Sequence, residues 1–161
     1  MGCDIHTIAR VKTQDGWKNV ARNIGDEVRN YHAFSVLADV RNGRGVAGRY
    51  TGEQWEPIAQ PRGLPADLAR PEQVSFLNDD TILDGNVVWL GDHSHSYLTL
   101  KEILDYYQTK MEGKLYLSED GRIPATEAAH YVLDCISDLK NLADQYEVGY
   151  DDIQLVFGFD S

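Results

Sequence analysis

The final segment of the chain, IQLVFGFDS at residues 153–161, is apolar along almost its whole length. A short continuous apolar run is typical of a strand that is buried on both faces at the centre of a sheet. The segment DIHTIARV at residues 4–11 is rich in β-branched residues and is predicted to be its partner. If the two segments pair antiparallel, Asp160 comes close to Cys3 and Asp4.

The segments between these two strands predict the fold class. The first strand continues through TQDG into WKNVARN, a pattern that is typical of a β-hairpin. Periodicity and end signals predict helices over residues 31–41, from Leu100 onward and over residues 125–147. Residues 42–73 hold four of the five prolines and predict one long irregular loop.

The 161-residue chain has the size of one ordinary domain, so residues 1–161 are predicted to form a single domain. We expect an α+β fold with a mostly antiparallel sheet in which the first and last strands are central. Two or three helices are expected to pack against this sheet. The first of them should begin after Asn30 and end before Gly43. The runs NVVWL and KLYLSEDGRI add a strand and a second hairpin.

Charge is distributed unevenly along the chain. Residues 1–75 carry ten Lys and Arg against nine Asp and Glu, whereas residues 111–161 carry three against eleven, and the formal net charge is −11. A duplex nucleic acid is not an expected partner, because neutralising its phosphates requires clustered Lys and Arg. No apolar run approaches the roughly 20 residues of a membrane span, and the N-terminus lacks a signal-peptide pattern. We therefore expect no membrane partner and a cytoplasmic location, in which the two cysteines stay reduced.

The stretch GDHSHSYLTLKE at residues 91–102 places two histidines and two serines in front of a predicted helix. Thr99 followed by Glu102 forms a capping box, so the helix is predicted to begin at Leu100. A helix N-terminus favours anions through its unpaired N–H groups and its dipole. Histidines and serines next to it would add hydrogen-bond donors to an anion site.

Side-chain alternation predicts how these residues are arranged. In an extended backbone His93 and His95 point to one side, and Ser94 and Ser96 point to the other.

The same rule applies to CDIH at the start of the first strand. Asp4 and His6 fall on one face of the strand, while Cys3 and Ile5 fall on the other. Short polar residues at the beginning of an apolar strand are unusual for core packing, which makes this segment a second candidate site.

Five blocks of the sequence, in the order MGCDIH, RNYHAFSVLADVR, PIAQPRGLP, DHSHSYLTLKE and LVFGFD, together resemble a family of small uncharacterised proteins of bacteriophages and prophages. The resemblance covers nearly the whole chain. It implies a phage origin and expression in the cytoplasm of a bacterial host, without naming a reaction. The positions to which it gives weight are Cys3, Asp4 and His6 in the first block, Arg29, Tyr31 and Arg41 in the second, Arg62 and Gly63 in the third, and His93, Ser94, His95 and Ser96 in the fourth.

The first interpretation of these residues is a small hydrolase or phosphodiesterase. Histidine suits such a reaction because its ordinary pKa lies near neutrality. The residues that would supply acid, base and oxyanion contacts are His6, His93 and His95. Asp4 would orient a histidine, and Arg41 or Arg62 would hold a phosphate in its planar fork of donors. A further possibility is that Cys3 is a nucleophile activated by His6.

The second interpretation is a catalytic metal site. Zinc or a similar divalent cofactor is bound by thiolate, carboxylate and imidazole groups. The candidate ligands are Cys3, Asp4, His6, His93 and His95. They are accompanied by no HExxH motif, no CxxC pair and no dense carboxylate cluster.

The third interpretation is a binder without catalysis, which sequesters a nucleotide signal or inhibits a host protein. A homo-oligomer is compatible with any of the three. The residues expected to bind the ligand are Arg29, Tyr31, Arg41, Arg62, Gly63, Ser94 and Ser96. The simplest alternative is that the alternating His and Ser residues only cap a helix and tie down a loop.

From these interpretations we expect a polar pocket built by the first strand, the RGLP loop and the HSHS turn. Its ligand is expected to be small and phosphorylated, with a nucleotide signal favoured and hydrolysis slightly ahead of sequestration. On this prediction His93→Ala and His95→Ala abolish activity and leave the melting temperature nearly unchanged, because residues of a site are often not optimised for stability.

Overall fold

The computed structural model describes residues 2–25, 29–43, 54–71, 79–118, 121–125 and 130–161. Within these residues the chain forms eight strands and three helices. In chain order they are β1 (Asp4–Thr13), β2 (Gly16–Arg22), α1 (Tyr31–Ala38), β3 (Asp80–Leu83), β4 (Asn86–Trp89), β5 (His93–Thr99), α2 (Leu100–Tyr106), β6 (Leu115–Ser118), β7 (Gly121–Pro124), α3 (His130–Tyr146) and β8 (Ile153–Asp160). Helix α2 continues directly into one π-helical turn, Tyr107–Met111.

Four strands form the main sheet in the order β2-β1-β8-β5, and all neighbours are antiparallel. Strand β8 is buried from Ile153 to Phe159, because it has a strand on each side and is covered on both faces. Its pairing with β1 places Asp4 opposite Asp160. The predicted α+β fold, with an antiparallel sheet and the first and last strands at its centre, is confirmed. The other strands form two separate hairpins, β3–β4 and β6–β7.

Different layers cover the two faces of the main sheet. On one face, Phe157 and Phe159 belong to the larger core together with the helices, and the rings of Phe34 and Phe159 are 5.1 Å apart. On the other face, Ile8 and Val156 belong to a smaller core. Its other buried members are Leu68, Val88 and Leu90. We call the side of Phe157 and Phe159 the helix face, and the side of Ile8 and Val156 the hairpin face.

The HSHS segment differs most from its prediction. It begins strand β5 and is not a turn before a helix. The outer edge of β5 is bound by the chain at residues 62–63, where the N–H of Gly63 donates to the carbonyl of His95 at 2.8 Å. Polar side chains on both sides of such a strand conceal it from a search for apolar alternation. Strand β3, only four residues long, was not predicted either.

Helix α1 is shorter than predicted. Asn30 caps its N-terminus as expected, because the Asn30 side chain accepts a hydrogen bond from the N–H of Ala33. The helix ends at Ala38, since Asp39 adopts a left-handed conformation with φ of 60°. The predicted stop at Gly43 is therefore wrong by one turn. Aspartate is one of the few residues besides glycine that adopt this conformation without a large penalty.

The predicted long loop is described only in part. Residues 54–71 contain neither helix nor strand, as predicted. Residues 44–53 and 72–73 of the predicted loop, and residues 126–129 of the predicted last helix, lie outside the described residues.

Candidate functional site

Two of the predicted segments meet where β8 ends. On one side of β8, Asp4 pairs with Asp160 and His6 pairs with Gly158. On the other side, His93 pairs with Phe159. Neighbouring strands lie about 4.8 Å apart, so the backbones of the CDIH and HSHS segments are separated by roughly 10 Å. We call this region, residues 158–161 with the strand ends beside it, the carboxyl end of β8.

On the hairpin face of this end, His6 forms a couple with a carboxylate. His6 Nε2 lies 2.7 Å from Asp160 Oδ2, and the two side chains are 28% and 26% exposed. Because an ionised carboxylate only accepts hydrogen bonds, Nε2 is the donor in this contact, and in the neutral ring the lone pair is then on Nδ1. The ring of Trp89 lies 4.8 Å from the His6 ring, at an angle of 44°. Carboxylate and indole together hold the imidazole in one orientation.

Asp4 does not orient His6 and instead binds Arg29. The Arg29 Nε and Nη2 atoms donate to the two carboxylate oxygens at 2.7 and 3.2 Å. This contact holds the pKa of Asp4 below its usual value, mainly through the Arg29 hydrogen bond. Gly2 makes room for it, because a Cβ atom at Gly2 would lie 1.9 Å from Arg29 Nη1. The structure thus places a guanidinium, a carboxylate and the His6 couple on the same side of β1.

His93 lies on the opposite face. Its ring stacks on Phe159 with the centroids 6.1 Å apart. Its Nδ1 atom lies 2.9 Å from Ser94 Oγ, and its Nε2 atom lies 2.9 Å from Ser161 Oγ. Ser161 also hydrogen-bonds the Cys3 thiol. His93 therefore belongs to a hydrogen-bonded group on the helix face that does not include His6.

Cys3 is a poor candidate for the nucleophile. Its side chain is fully buried, and burial raises the pKa of the thiol, although Ser161 and the charge of Arg41 act in the opposite direction. Only the thiolate is a good nucleophile. Cys3 and Ile5 both belong to the core of the helix face, whereas His6 lies on the hairpin face, so His6 is not placed to activate it.

Tyr31 and Arg41 surround Cys3 on the helix face. The N–H of Cys3 donates to the Tyr31 hydroxyl at 3.2 Å. The Arg41 guanidinium lies 5.5 Å from the centre of the Tyr31 ring, within the range of a cation–π contact. Both residues thus lie close to the buried thiol of Cys3.

The prediction that His93 and His95 point to the same side is wrong. Ser94 has φ of 57°, and the pairing of β5 with β8 shifts register between His93 and Ser96. Such a bulge adds one residue to the strand and reverses the alternation beyond it. His95 consequently lies over Gly158 on the hairpin face, where a Cβ atom at Gly158 would be 2.4 Å from its ring.

His95 supports the backbone around it. Its Nε2 atom donates to the carbonyl of Gly91 at 3.1 Å, and Asp79 Oδ1 lies 3.9 Å away. With 13% of its side chain exposed, the ring fills the space between the β4–β5 connection and β8. These contacts are those of a structural residue.

We therefore expect His95→Ala to lower the free energy of unfolding by about 2 kcal/mol, through lost packing and an unpaired Gly91 carbonyl. Chemical denaturation followed by circular dichroism measures this loss. His130→Ala is the matched control, because 64% of that side chain is exposed and its contact with Asp134 is a surface pair. A stability equal to that of the control would restore the sequence-based expectation that His95 serves a site.

Arg62, Gly63 and Ser96 tie the loop to β5. The N–H of Arg62 donates to Ser96 Oγ at 3.1 Å. Arg62 Nη1 donates to Glu102 Oε1 and to the carbonyl of Tyr97, both at 3.0 Å. The hydrogen bond between Arg62 and Glu102 raises the pKa of Arg62 and lowers the pKa of Glu102. Arg62 is thus held by an ion pair that covers the edge of β5, and not by the His6 couple.

The anion site predicted at the helix N-terminus is not formed by the two histidines. The six residue steps of β5 from His93 to Thr99 span roughly 20 Å, and the dipole acts only near the first turn of a helix. The predicted capping box itself is confirmed, with Thr99 and Glu102 each binding the backbone N–H of the other.

The predicted metal ligands do not converge. In the part of the chain that the structure describes, no three His, Cys, Asp or Glu side chains come close enough to hold a metal ion. Of the five candidates, Cys3 and His93 lie on the helix face, whereas Asp4, His6 and His95 lie on the hairpin face, where each has a different partner.

Comparisons with known proteins do not assign the chain to a family. The chain matches no protein-family model, and no curated protein and no solved structure is significantly similar to it. Among the described residues, no helix has the length and apolar character needed to cross a membrane.

Sequence reasoning missed two residues of the candidate site, Trp89 and Ser161. Trp89 follows two valines in a short strand and gives no sign of a contact with His6, which arises only when the β3–β4 hairpin packs on the sheet. Asp160 could be found, because its approach to Asp4 follows from pairing the first strand with the last.

Proposed function

We propose that this protein hydrolyses a small phosphorylated ligand at the hairpin face of the carboxyl end of β8. The observation that carries the proposal is the 2.7 Å contact between His6 Nε2 and Asp160 Oδ2. A carboxylate that accepts the Nε2 proton fixes the tautomer and leaves the lone pair of Nδ1 to take a proton. Serine hydrolases also orient their general-base histidine with a carboxylate, although there the carboxylate binds Nδ1 and Nε2 is the base.

Charge supports a phosphorylated ligand. Arg29 is about half exposed and gives two of its five N–H donors to Asp4, which leaves others to bind phosphate oxygens. Asp4 in turn interacts electrostatically with His6. In the proposed reaction, Arg29 holds the phosphate and His6 Nδ1 takes a proton from the attacking water. The bond from phosphorus to the leaving oxygen breaks as the bond to the water oxygen forms, and solvent water protonates the leaving oxygen.

The resemblance to phage and prophage proteins guides the choice of ligand within this class. A phage protein in the bacterial cytoplasm benefits from destroying a nucleotide immune signal of its host. We therefore propose a cyclic or linear signalling nucleotide as the substrate, with counter-defence as the role.

The test incubates the protein with a panel of cyclic mono- and dinucleotides, with and without a chelator, and separates the products by chromatography. Chelator-resistant product formation supports the proposal. Chelator-sensitive turnover would indicate a metal-dependent hydrolase and overturn the proposed role of His6. Nucleotide that is bound but recovered intact after denaturation would overturn hydrolysis and indicate sequestration. If nothing in the panel is bound or cut, the proposed ligand class is wrong.

Asp160→Asn tests whether Asp160 orients His6 or binds the ligand. The amide presents a donor or a neutral acceptor to His6 Nε2, so the productive tautomer is no longer favoured. We expect kcat to fall about 10- to 100-fold with little change in KM, since Asp160 acts through His6 and not on the ligand. Asp151→Asn, an exposed aspartate before β8, is the matched control. Equal kcat in the two variants would exclude the couple from the reaction.

A further inference from the structure

The proposed function leaves a second histidine couple unexplained, on the helix face of the same strand end. His93 has a hydroxyl on each ring nitrogen, Ser94 at Nδ1 and Ser161 at Nε2, both at 2.9 Å. Its ring is fixed by stacking on Phe159. Neither His93 nor Ser94 is fully buried, so a ligand in solution can reach them.

The backbone at Ser94 is unusual for a serine in a strand. Its φ of 57° is left-handed, and the bulge removes it from the ladder between β5 and β8. Non-glycine residues in this conformation cost free energy and are concentrated at functional sites. Here the conformation turns the Ser94 hydroxyl back onto the ring of His93, the residue before it.

We propose that Ser94 is the nucleophile of a second hydrolytic centre that cleaves carboxylic esters, with His93 as its base. If Nε2–H donates to Ser161 Oγ, the lone pair lies on Nδ1 and accepts the hydrogen of Ser94 Oγ. The nucleophile and the orienting group are then each within hydrogen-bond distance of the base, on opposite nitrogens of its ring. This inference stands on different residues from the proposed phosphate chemistry and does not depend on it.

A neutral ester fits this centre better than a phosphate. The attacked carbonyl group carries no charge, whereas serine attack on a phosphodiester needs cations to neutralise its oxygens. Arg29, the guanidinium proposed above to hold a phosphate, is bound to Asp4 on the hairpin face, away from His93.

The proposed reaction has two steps. Ser94 Oγ attacks the ester carbonyl carbon while its proton passes to His93 Nδ1. The bond from the carbonyl carbon to the alcohol oxygen then breaks, and the alcohol leaves with that proton. Water attacks the resulting acyl-serine and gives a proton to His93 Nδ1. The bond to Ser94 Oγ breaks, the carboxylic acid leaves, and Ser94 recovers its proton.

A fluorophosphonate probe tests the nucleophile without knowledge of the natural ester, because it reacts with activated serines and with few others. After incubation of the full chain, intact-mass and tandem mass spectrometry are expected to show one adduct per chain, located at Ser94. Ser94→Gly should abolish the adduct, and glycine suits the positive φ at this position. Ser137→Ala, which removes an exposed serine of α3, should leave labelling unchanged.

The base and the positioning residue are tested by the rate of labelling. His93→Gln is expected to slow it at least 100-fold. Ser161→Ala should slow it about 10-fold, and Ser161→Thr should restore it because the hydroxyl is retained. Release of 4-nitrophenol from 4-nitrophenyl acetate should follow the same order. An absent adduct, adducts spread over several serines, or equal labelling of Ser94→Gly and wild-type protein would overturn the proposal.

Discussion

Replacing Gly158 by alanine is expected to lower the free energy of unfolding by about 4 kcal/mol and the melting temperature by roughly 10 °C. A Cβ atom at this position would lie 2.0 Å from the carbonyl oxygen of Leu90 and 2.4 Å from Cδ2 of His95. One of these neighbours is backbone, so rotation of a side chain cannot relieve the collision. The β4–β5 connection would have to move away from β8, and its contacts with the smaller core would be lost.

The sign of this effect distinguishes it from an ordinary glycine substitution. Glycine inside a strand usually weakens it, so alanine would normally stabilise the protein by up to about 1 kcal/mol. Gly149→Ala is the matched control, because the nearest atom to its added Cβ is Asp152 Oδ2 at 3.9 Å. We expect that variant to stay within about 0.5 kcal/mol of wild type. A Gly158→Ala protein as stable as this control would show that Leu90 and His95 do not cover β8.

The sequence was most informative where a single periodicity decided the outcome. The almost continuous apolar character of residues 153–159 is typical of a strand covered on both faces, and β8 is that strand. Once β8 is paired with β1, the two-residue period of strands places Asp4 and His6 on one face. The approach of Asp160 to this pair followed from the same argument, without knowledge of any other element.

The prediction for HSHS failed because tertiary contacts override the two-residue alternation of side chains in a strand. The alternation in HSHS would have placed both imidazoles together, but the bulge at Ser94 sends His93 to the helix face and His95 to the hairpin face. That bulge is held by the β8 ladder and by Gly63, both far away in the chain. No local pattern of residues encodes such a shift. The single predicted site is therefore replaced by two separate groups, one on each face of the sheet.

The ion pairs of Arg29 and Arg62 were not predicted, for a similar reason. Arg29 and Arg62 were both expected to bind a ligand, and the residue type was the only guide. Arg62 lies between the β5 edge and Glu102, a partner 40 residues away that was predicted only as part of a capping box. Arg29 has a partner that is about half exposed, so a phosphate can compete for it. An arginine can bind a ligand if its carboxylate partner is exposed enough for the ligand to displace it. The exposure of that partner is determined by the fold and cannot be inferred from the residue type.

Acidification from pH 7.5 to pH 4.5 is expected to lower the free energy of unfolding by about 2 to 3 kcal/mol through His32 alone. His32 is 3% exposed on α1, and burial lowers the pKa of its imidazole from 6.5 to about 4. Trp55 Nε1–H donates to His32 Nδ1 at 3.2 Å, a contact that requires this nitrogen to be unprotonated. The indole approaches edge-on, with the ring centroids 6.3 Å apart. Protonation would therefore break the contact with Trp55 and place a charge in the buried interior.

The sign of the change in stability with pH follows from the number of protons that the folded and unfolded chains bind. Because the pKa of His32 is lower in the folded than in the unfolded protein, the unfolded chain binds more protons between pH 6.5 and about pH 4. The full stability is present above pH 6.5 and is lost as the pH falls toward 4. The lowered pKa values of Asp4 and Glu102 add a loss only at and below the usual carboxylate range near pH 4.

His32→Gln isolates this contribution, because glutamine offers Trp55 an acceptor but does not titrate. Urea denaturation of both proteins at the two pH values gives the difference directly, since the other titrating groups are common to them and cancel. We expect wild type to lose about 2 to 3 kcal/mol more than the variant. An equal loss in the two proteins would mean that His32 is protonated as readily in the folded chain as in the unfolded one, and would contradict its lowered pKa.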